Sequence, residues 1–226
     1  MKPAWYLVPL SYLFEIPIEK RHSAFSATVK VSLHRGEWKL STFNAIYSFG
    51  KYYSSYKSAF RQIDIQRHTP TNTLILGVGL GSVVKLLLDH PTLKNITAVD
   101  IDPVIIELAK KYWPDTNSKF ETVFHTEDAI EWLENRPFHK KYDLILSDIF
   151  IDDKTPKSML TRNYLNLLKE SLNPNGILLY SKINYTEQQQ AANSQFEKTF
   201  KKVFPNGDAL SADYNLMYIY QSENKK

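Results

Sequence analysis

The chain contains no cysteine in its 226 residues, which excludes a disulfide framework, a thiol nucleophile and a cysteine-ligated metal. It has no apolar run approaching the roughly 20 residues of a membrane-spanning helix, and no internal repeat or low-complexity tract. Histidine is sparse and dispersed (His22, His34, His68, His90, His125 and His139), with no His-x-x-x-His pair and no Ser-His-Asp order. Neither metal nor acyl-enzyme chemistry is therefore expected. There is also no dense block of one charge. Residues 1–70 carry a net +6 and residues 71–226 a net −2, but Lys20, Arg21, Lys30, Arg35 and Lys39 are scattered. That is the pattern of a solvated surface, so no nucleic acid partner is expected. Pro3 and Pro9 interrupt the weakly signal-like opening segment, which reads as mature sequence. These absences fit a cytoplasmic enzyme that acts on a small molecule away from the membrane.

Hydrophobic residues at 43% and charged residues at 23% are ordinary for a soluble globular chain. Its pattern divides into two regions. Residues 1–65 read as a β module with a linking helix. Tyr12–Ile18, Ala27–Leu33 and Glu37–Phe43 are short runs rich in β-branched and aromatic residues, and His34-Arg-Gly36 supplies a hairpin turn between the last two. A helix is predicted to end near Ile63. After the polar stretch 66–72, residues 73–226 alternate strand and helix. Strands over 74–76, 96–99, 121–124, 142–147, 177–181 and 216–220 are separated by helices over 82–90, 103–113, 129–135, 157–172 and 187–203. That alternation predicts an α/β fold with a doubly wound, Rossmann-like parallel sheet.

Leu76-Gly-Val-Gly-Leu-Gly-Ser82 puts Gly77, Gly79 and Gly81 between the first of these strands and its helix. A ligand there meets backbone without Cβ atoms and the free N–H groups of a helix start. A dinucleotide fingerprint would need glycine in place of Ser82, so the spacing suits a nucleoside carrying no pyrophosphate. Asp100 ends the second strand nineteen residues after Gly81 and can accept both hydrogen bonds of a ribose diol. Asp102 precedes Pro103 as a helix N-cap does. Asp128 follows the third strand, where it can cap a helix and accept from an adenine amino group. Asp148 ends the fourth strand, at the sheet edge where catalytic groups sit, and can orient or deprotonate an amine or hydroxyl nucleophile.

Taken together, these residues resemble the spermidine synthase-like branch of the class I S-adenosylmethionine-dependent methyltransferase superfamily, over roughly residues 27–185. The resemblance rests on Leu76–Ser82, Ala98-Val-Asp-Ile-Asp-Pro-Val-Ile105, Glu127-Asp-Ala129, Tyr142–Asp148, Leu160–Leu165 and Leu172–Leu179. The hairpin and Tyr47-Ser-Phe-Gly50 resemble that branch's small β module. By this resemblance Gly77–Gly81, Asp100 and Asp128 hold the adenosyl group, and Asp148 is the catalytic carboxylate. Tyr47, Leu80 and Asp152 border the substrate pocket, and the protein is a homodimer.

Two departures bear on the reaction. Polyamine-forming members of the branch carry an acid where this chain has Leu80, and a cationic amine finds no partner at a leucine. Those members also follow the fourth strand with an Asp-Ser-Ser-Asp-Pro-like loop. Here Asp148-Ile-Phe-Ile-Asp152 keeps the first acid and replaces or displaces the second. The expectation is therefore methyl transfer from S-adenosylmethionine to a small molecule. The alternatives are polyamine aminopropyl transfer from decarboxylated S-adenosylmethionine, and a non-catalytic nucleoside-binding relative.

Overall fold

A computed structural model of the chain describes residues 1–115, 119–137 and 139–223. The N-terminal module is a four-stranded antiparallel sheet in the order β1 (Ile16–Arg21), β2 (Val29–His34), β3 (Glu37–Ser41), β4 (Ile46–Phe49), preceded by one helical turn, α1 (Leu7–Leu10). The first strand starts later than its sequence suggests. Tyr12-Leu-Phe belongs to the turn that follows α1, and Ser11 ties that turn to the β2–β3 hairpin by accepting from the Gly36 N–H at 2.8 Å.

The large sheet runs β10-β11-β9-β8-β5-β6-β7, with β5 (Asn72–Leu76), β6 (Asn95–Asp100), β7 (Glu121–Thr126), β8 (Tyr142–Ser147) and the start of β9 (Leu172–Ile183) all parallel. The predicted doubly wound sheet is thus present, and the order reverses between β5 and β8. At such a reversal the flanking loops part and leave a crevice at the carboxyl edge. Leu144, Ile145 and Leu146 are wholly buried, as a central strand covered on both faces requires.

Helices α3 (Ser82–Leu87), α4 (Pro103–Tyr112), α5 (Ala129–Asn135), α6 (Arg162–Glu170) and α7 (Glu187–Val203) connect the strands. Helix α2 (Ser54–Gln62) places Tyr56, Ala59 and Phe60 in one core with Ile75, Leu144 and Leu179 of the large sheet.

Three local readings are corrected. The helix expected over 157–172 breaks after a 3-10 turn at Lys157–Leu160, because Thr161 starts α6 afresh by accepting from the Tyr164 N–H. The strand expected over 177–181 begins earlier, with Asn173-Pro-Asn-Gly176 as the irregular start of β9 and Asn175 at φ 63° where the register shifts. The sheet also closes with an antiparallel hairpin, β10 (Asp208–Ala212) and β11 (Asn215–Gln221). Asp-Ala-Leu-Ser-Ala is a half-exposed edge strand, so it carries no apolar alternation to betray it. Among the described residues no helix is long and apolar enough to cross a membrane.

Candidate active site

The carboxyl ends of β5, β6, β7 and β8 surround a cavity of about 210 Å³ roofed by Phe25, Ser26 and Tyr47 of the small module. Gly77, Gly79, Asp100, Asp128, Tyr47 and Asp148 all border it. Gly77 (φ +85°) lets β5 end directly beside β8: a Cβ on it would lie 2.3 Å from the Asp148 carbonyl oxygen. Gly79 (φ +53°) gives the same clearance to the small module, where a Cβ would lie 2.7 Å from the Tyr47 carbonyl oxygen. These two glycines therefore bring three elements together at one point. Gly81 does not border the cavity; it makes room for the Trp113 ring.

Asp100 holds the glycine turn in place. Its Oδ2 accepts from the Val78 N–H at 2.9 Å and its Oδ1 from the Asp102 N–H at 3.0 Å. Burial pushes its pKa up to about 6, the Val78 and Asp102 N–H groups oppose the rise, and the Asp102 charge adds to it. Asp102 caps α4 through Val104 and accepts from the Ser23 hydroxyl, which ties the β1–β2 loop to the cavity rim. Asp128 caps α5, its Oδ1 accepting from the Ile130 and Glu131 N–H groups.

Asp148 differs from these. Its Oδ2 accepts from the Tyr53 hydroxyl at 2.5 Å, while Oδ1 is buried without a well-formed hydrogen bond. Burial lifts its pKa to about 6, opposed by Tyr53 and by the nearby Ser181 hydroxyl. Burial and the Asp148 charge together raise the Tyr53 pKa well above its ordinary value, so the phenol stays protonated and donates. Tyr53 is the residue that sequence reasoning missed. The segment Tyr47–Tyr56 holds four tyrosines, and nothing in their spacing marks the one that reaches β8.

Two expected pocket residues lie elsewhere. Leu80 is buried in the apolar seam between the small sheet and α4, among Val29, Val31, Leu40, Ile105 and Leu108, and does not border this cavity. The turn has positive φ at Gly79 and Gly81 on either side of it, and its side chain fills that seam instead. Asp152 does not border the cavity either. Its Oδ1 accepts from the Thr42 hydroxyl at 2.6 Å and the Asn44 N–H at 3.1 Å, and its Oδ2 from the Asn44 amide. Its own N–H donates to the Tyr47 hydroxyl at 2.5 Å. These donors hold its carboxyl below the usual range against the desolvation that opposes them, and Asp152 latches the β8 loop to the small module.

Comparison with known proteins bears on the chemistry. Residues 54–221 match the family model described as spermine/spermidine synthase domain. A probable polyamine aminopropyl transferase of Bifidobacterium longum is 32% identical over 142 residues, covering 63% of this chain and 31% of the relative. The spermine synthase of Saccharomyces cerevisiae is 29% identical over 176 residues, 74% of this chain and 58% of the relative. The chain thus spans less than two thirds of the length of either. A crystal structure of spermidine synthase in complex with the transition-state analogue AdoDATO superposes with a TM-score of 0.69 at 16% identity, covering 91% of this chain and 73% of that one, a likeness of fold. These findings overturn the expectation of methyl transfer from S-adenosylmethionine. The physical reason lies in Leu80, which carried that expectation but faces an apolar seam and not the ligand.

Proposed function

We propose, from the premise that this chain belongs to the spermine/spermidine synthase domain family, that its cavity transfers an aminopropyl group from decarboxylated S-adenosylmethionine to an amine. The observation that carries this reading is the charge of the wall. Among the described residues, the ionisable groups of the cavity other than tyrosine are Asp100, Asp102, Glu127, Asp128 and Asp148, with no Lys, Arg or His. The decarboxylated donor presents a sulfonium and an ammonium. The undecarboxylated compound would add a carboxylate to a wall of carboxylates, and like charges at close range in a partly dry site repel by kilocalories.

In this reading the adenosyl group lies along Gly77 and Gly79. Each Asp100 oxygen spends one lone pair on a backbone N–H and keeps capacity for the ribose diol. Asp128 Oδ2 is left for the adenine amino group. Asp148 is ionised at neutral pH and its orphaned Oδ1 receives a proton from the acceptor ammonium, while Tyr53 fixes the other oxygen. Leaving water also lowers the acceptor's own pKa, which eases that transfer. Glycine clearance at Gly77 sets donor and base side by side, so the nucleophile meets the donor in line.

Melting shifts with the two adenosyl compounds, together with chromatography of methylthioadenosine released in the presence of amines, test the reading. A larger shift with the decarboxylated donor and release of methylthioadenosine are expected. An equal or larger shift with the undecarboxylated compound, or no release with any amine, overturns it. The homodimer belongs to the same reading: Trp5, Leu13 and Phe43 are more than three-quarters exposed on the N-terminal module (83%, 80% and 94%), apolar surface that a second copy would cover. Light scattering should then give twice the 26.3 kDa of one chain.

A further inference from the structure

A second, much smaller chamber of about 10 Å³ shares Tyr47, Tyr53, Gly77 and Asp148 with the large cavity. Its other walls are Ile75, Val78, Val83 and Leu146, with Ser82 and Tyr56. Two buried polar atoms of its lining have no protein partner, Tyr56 Oη and Asp148 Oδ1. Tyr56 is wholly buried. Its ring lies nearly parallel to that of Tyr53, 5.8 Å away at 18°. The Tyr53 hydroxyl donates to Asp148 Oδ2 at 2.5 Å, so the stacking carries the Tyr56 hydroxyl toward the same carboxylate. Burial first and the Asp148 charge next raise the Tyr56 pKa well above its ordinary value, and the phenol remains a neutral donor.

A hydroxyl and a carboxylate oxygen left unpaired in so apolar a chamber would each carry a desolvation penalty. The other hydroxyls of the lining are already committed. Ser82 Oγ pairs with the Ser48 hydroxyl at 2.6 Å and accepts from the Phe49 N–H at 2.8 Å, and the Tyr47 hydroxyl accepts from the Asp152 N–H. A buried water needs roughly 10–15 Å³ of such space and about two to four polar partners. The chamber has the room for one water, and Tyr56 and Asp148 are its two partners.

We propose that this chamber binds one structural water, which accepts a hydrogen bond from Tyr56 and donates one to Asp148 Oδ1, and that Tyr56 is thereby a positioning residue for the base. The inference rests on the aminopropyl-transfer reading only for what the base then does. A carboxylate oxygen has two lone pairs. The water fills one of them from the chamber and leaves the other for a proton arriving from the large cavity. It also favours the ionised form of Asp148, because a water polarised by the Tyr56 hydroxyl donates more strongly. The ionisable groups around Asp148 are Tyr53 and Tyr56 from α2, Tyr47 from β4, and the acids Asp100, Asp102, Glu127 and Asp128 across the large cavity. Among the described residues no Lys, Arg or His borders either space. Without a cation, hydrogen bonds alone oppose the effect of burial. Ser181, next in register beside Asp148 on β9, adds to them.

The test compares the full chain with its Tyr56→Phe variant, which keeps the ring and removes only the hydroxyl. A crystal structure of the parent should show one water within about 3.2 Å of both Tyr56 Oη and Asp148 Oδ1. In an NMR titration of the Asp148 side-chain carboxyl carbon, the variant's midpoint should lie about one pH unit above the parent's, the low end of what a hydrogen bond to a charged group supplies. The acid limb of kcat/KM should follow it, with a loss of about threefold near pH 6.5 and little change near pH 8.5. A Tyr56 that only packs would lower the melting temperature and leave the midpoint in place. That result, or a dry chamber in the crystal, overturns the proposal. Titration and crystal structure need no turnover. An enzyme that releases methylthioadenosine with no amine would therefore overturn the aminopropyl reading, while these two measurements still decide the water and the role of Tyr56.

Discussion

The carboxylates at the edge of the large sheet fall into two kinds. Asp100, Asp102 and Asp128 each accept backbone N–H groups, fixing the glycine turn and the starts of α4 and α5. Asp148 accepts from no backbone N–H; it holds one tyrosine hydroxyl and leaves its other oxygen unpaired in a buried place. The first kind fixes the rim of the cavity. The second is kept at a cost to the fold, and an unpaired, desolvated carboxylate with its pKa near 6 is what a proton acceptor needs.

Replacing Asp148 with Asn should break this comparison most sharply. Aminopropyl transfer should fall by about 10²–10⁴-fold in steady-state assays, the usual worth of a positioned general base. The same variant should be more stable. Because the folded pKa is raised from 3.8 to about 6, the native state binds more protons than the unfolded chain between those values. Stability therefore declines as pH rises through that window, and the penalty is fully present above it. The Asp148→Asn substitution removes the penalty, so the variant's melting temperature should exceed the parent's by a few degrees at pH 7.5 and match it at pH 4. A lower melting temperature at pH 7.5 would show that Asp148 is structural like its neighbours.

Tyr53→Phe should have the next largest effect, a loss of about tenfold to a hundredfold in kcat/KM, the worth of a hydrogen bond to a charged group. Its pH profile separates a positioning role from a packing one. The parent's acid limb should lie near pH 6, where Asp148 gains its proton. Losing the phenol removes an interaction that favours the ionised form, so the limb should move to higher pH. A limb left in place while activity falls would make Tyr53 a packing residue. Asp128→Ala should weaken donor binding and cost about 1 kcal/mol of stability as a lost cap, measured by urea unfolding with and without donor.

Much of the architecture was legible because each parallel strand and its helix carry local signals. Apolar runs such as Leu144–Leu146, a capping Asp before Pro103 and glycines after β5 each report on a few consecutive residues. That Gly77, Gly79, Asp100 and Asp128 meet at the carboxyl edge of the sheet was legible for the same reason. What could not be read were contacts between segments far apart in the chain. Tyr53 reaches Asp148 across 95 positions and Thr42 reaches Asp152 across 110. The direction of Leu80 depends on a seam made by β2, β3 and α4, so a position that the resemblance alone set against an acid gave the wrong reaction here. The edge strand β10 escaped because half-exposed small residues have no period to detect.

The smallest expected effect tests the division at its weakest point, the acid that sequence reasoning had put in the pocket. Asp152→Asn keeps an oxygen for the Thr42 hydroxyl and the Asn44 N–H and removes only the charge and the second acceptor. If Asp152 is a latch, kcat should stay within about twofold of the parent, because the retained hydrogen bonds hold the loop and no substrate cation depends on the charge. Asp152→Ala removes the latch entirely, so the β8 loop that carries Ile149, Phe150 and Ile151 is released from the small module. The acceptor KM should then rise several-fold with kcat little changed, since the wall is loosened while Asp148 and Tyr53 remain in place. Putrescine kinetics make the outcome decisive. A fall of tenfold or more in kcat/KM for putrescine on Asp152→Asn would place Asp152 among the cation-binding groups and leave Asp148 no longer alone among the carboxylates as one that meets substrate.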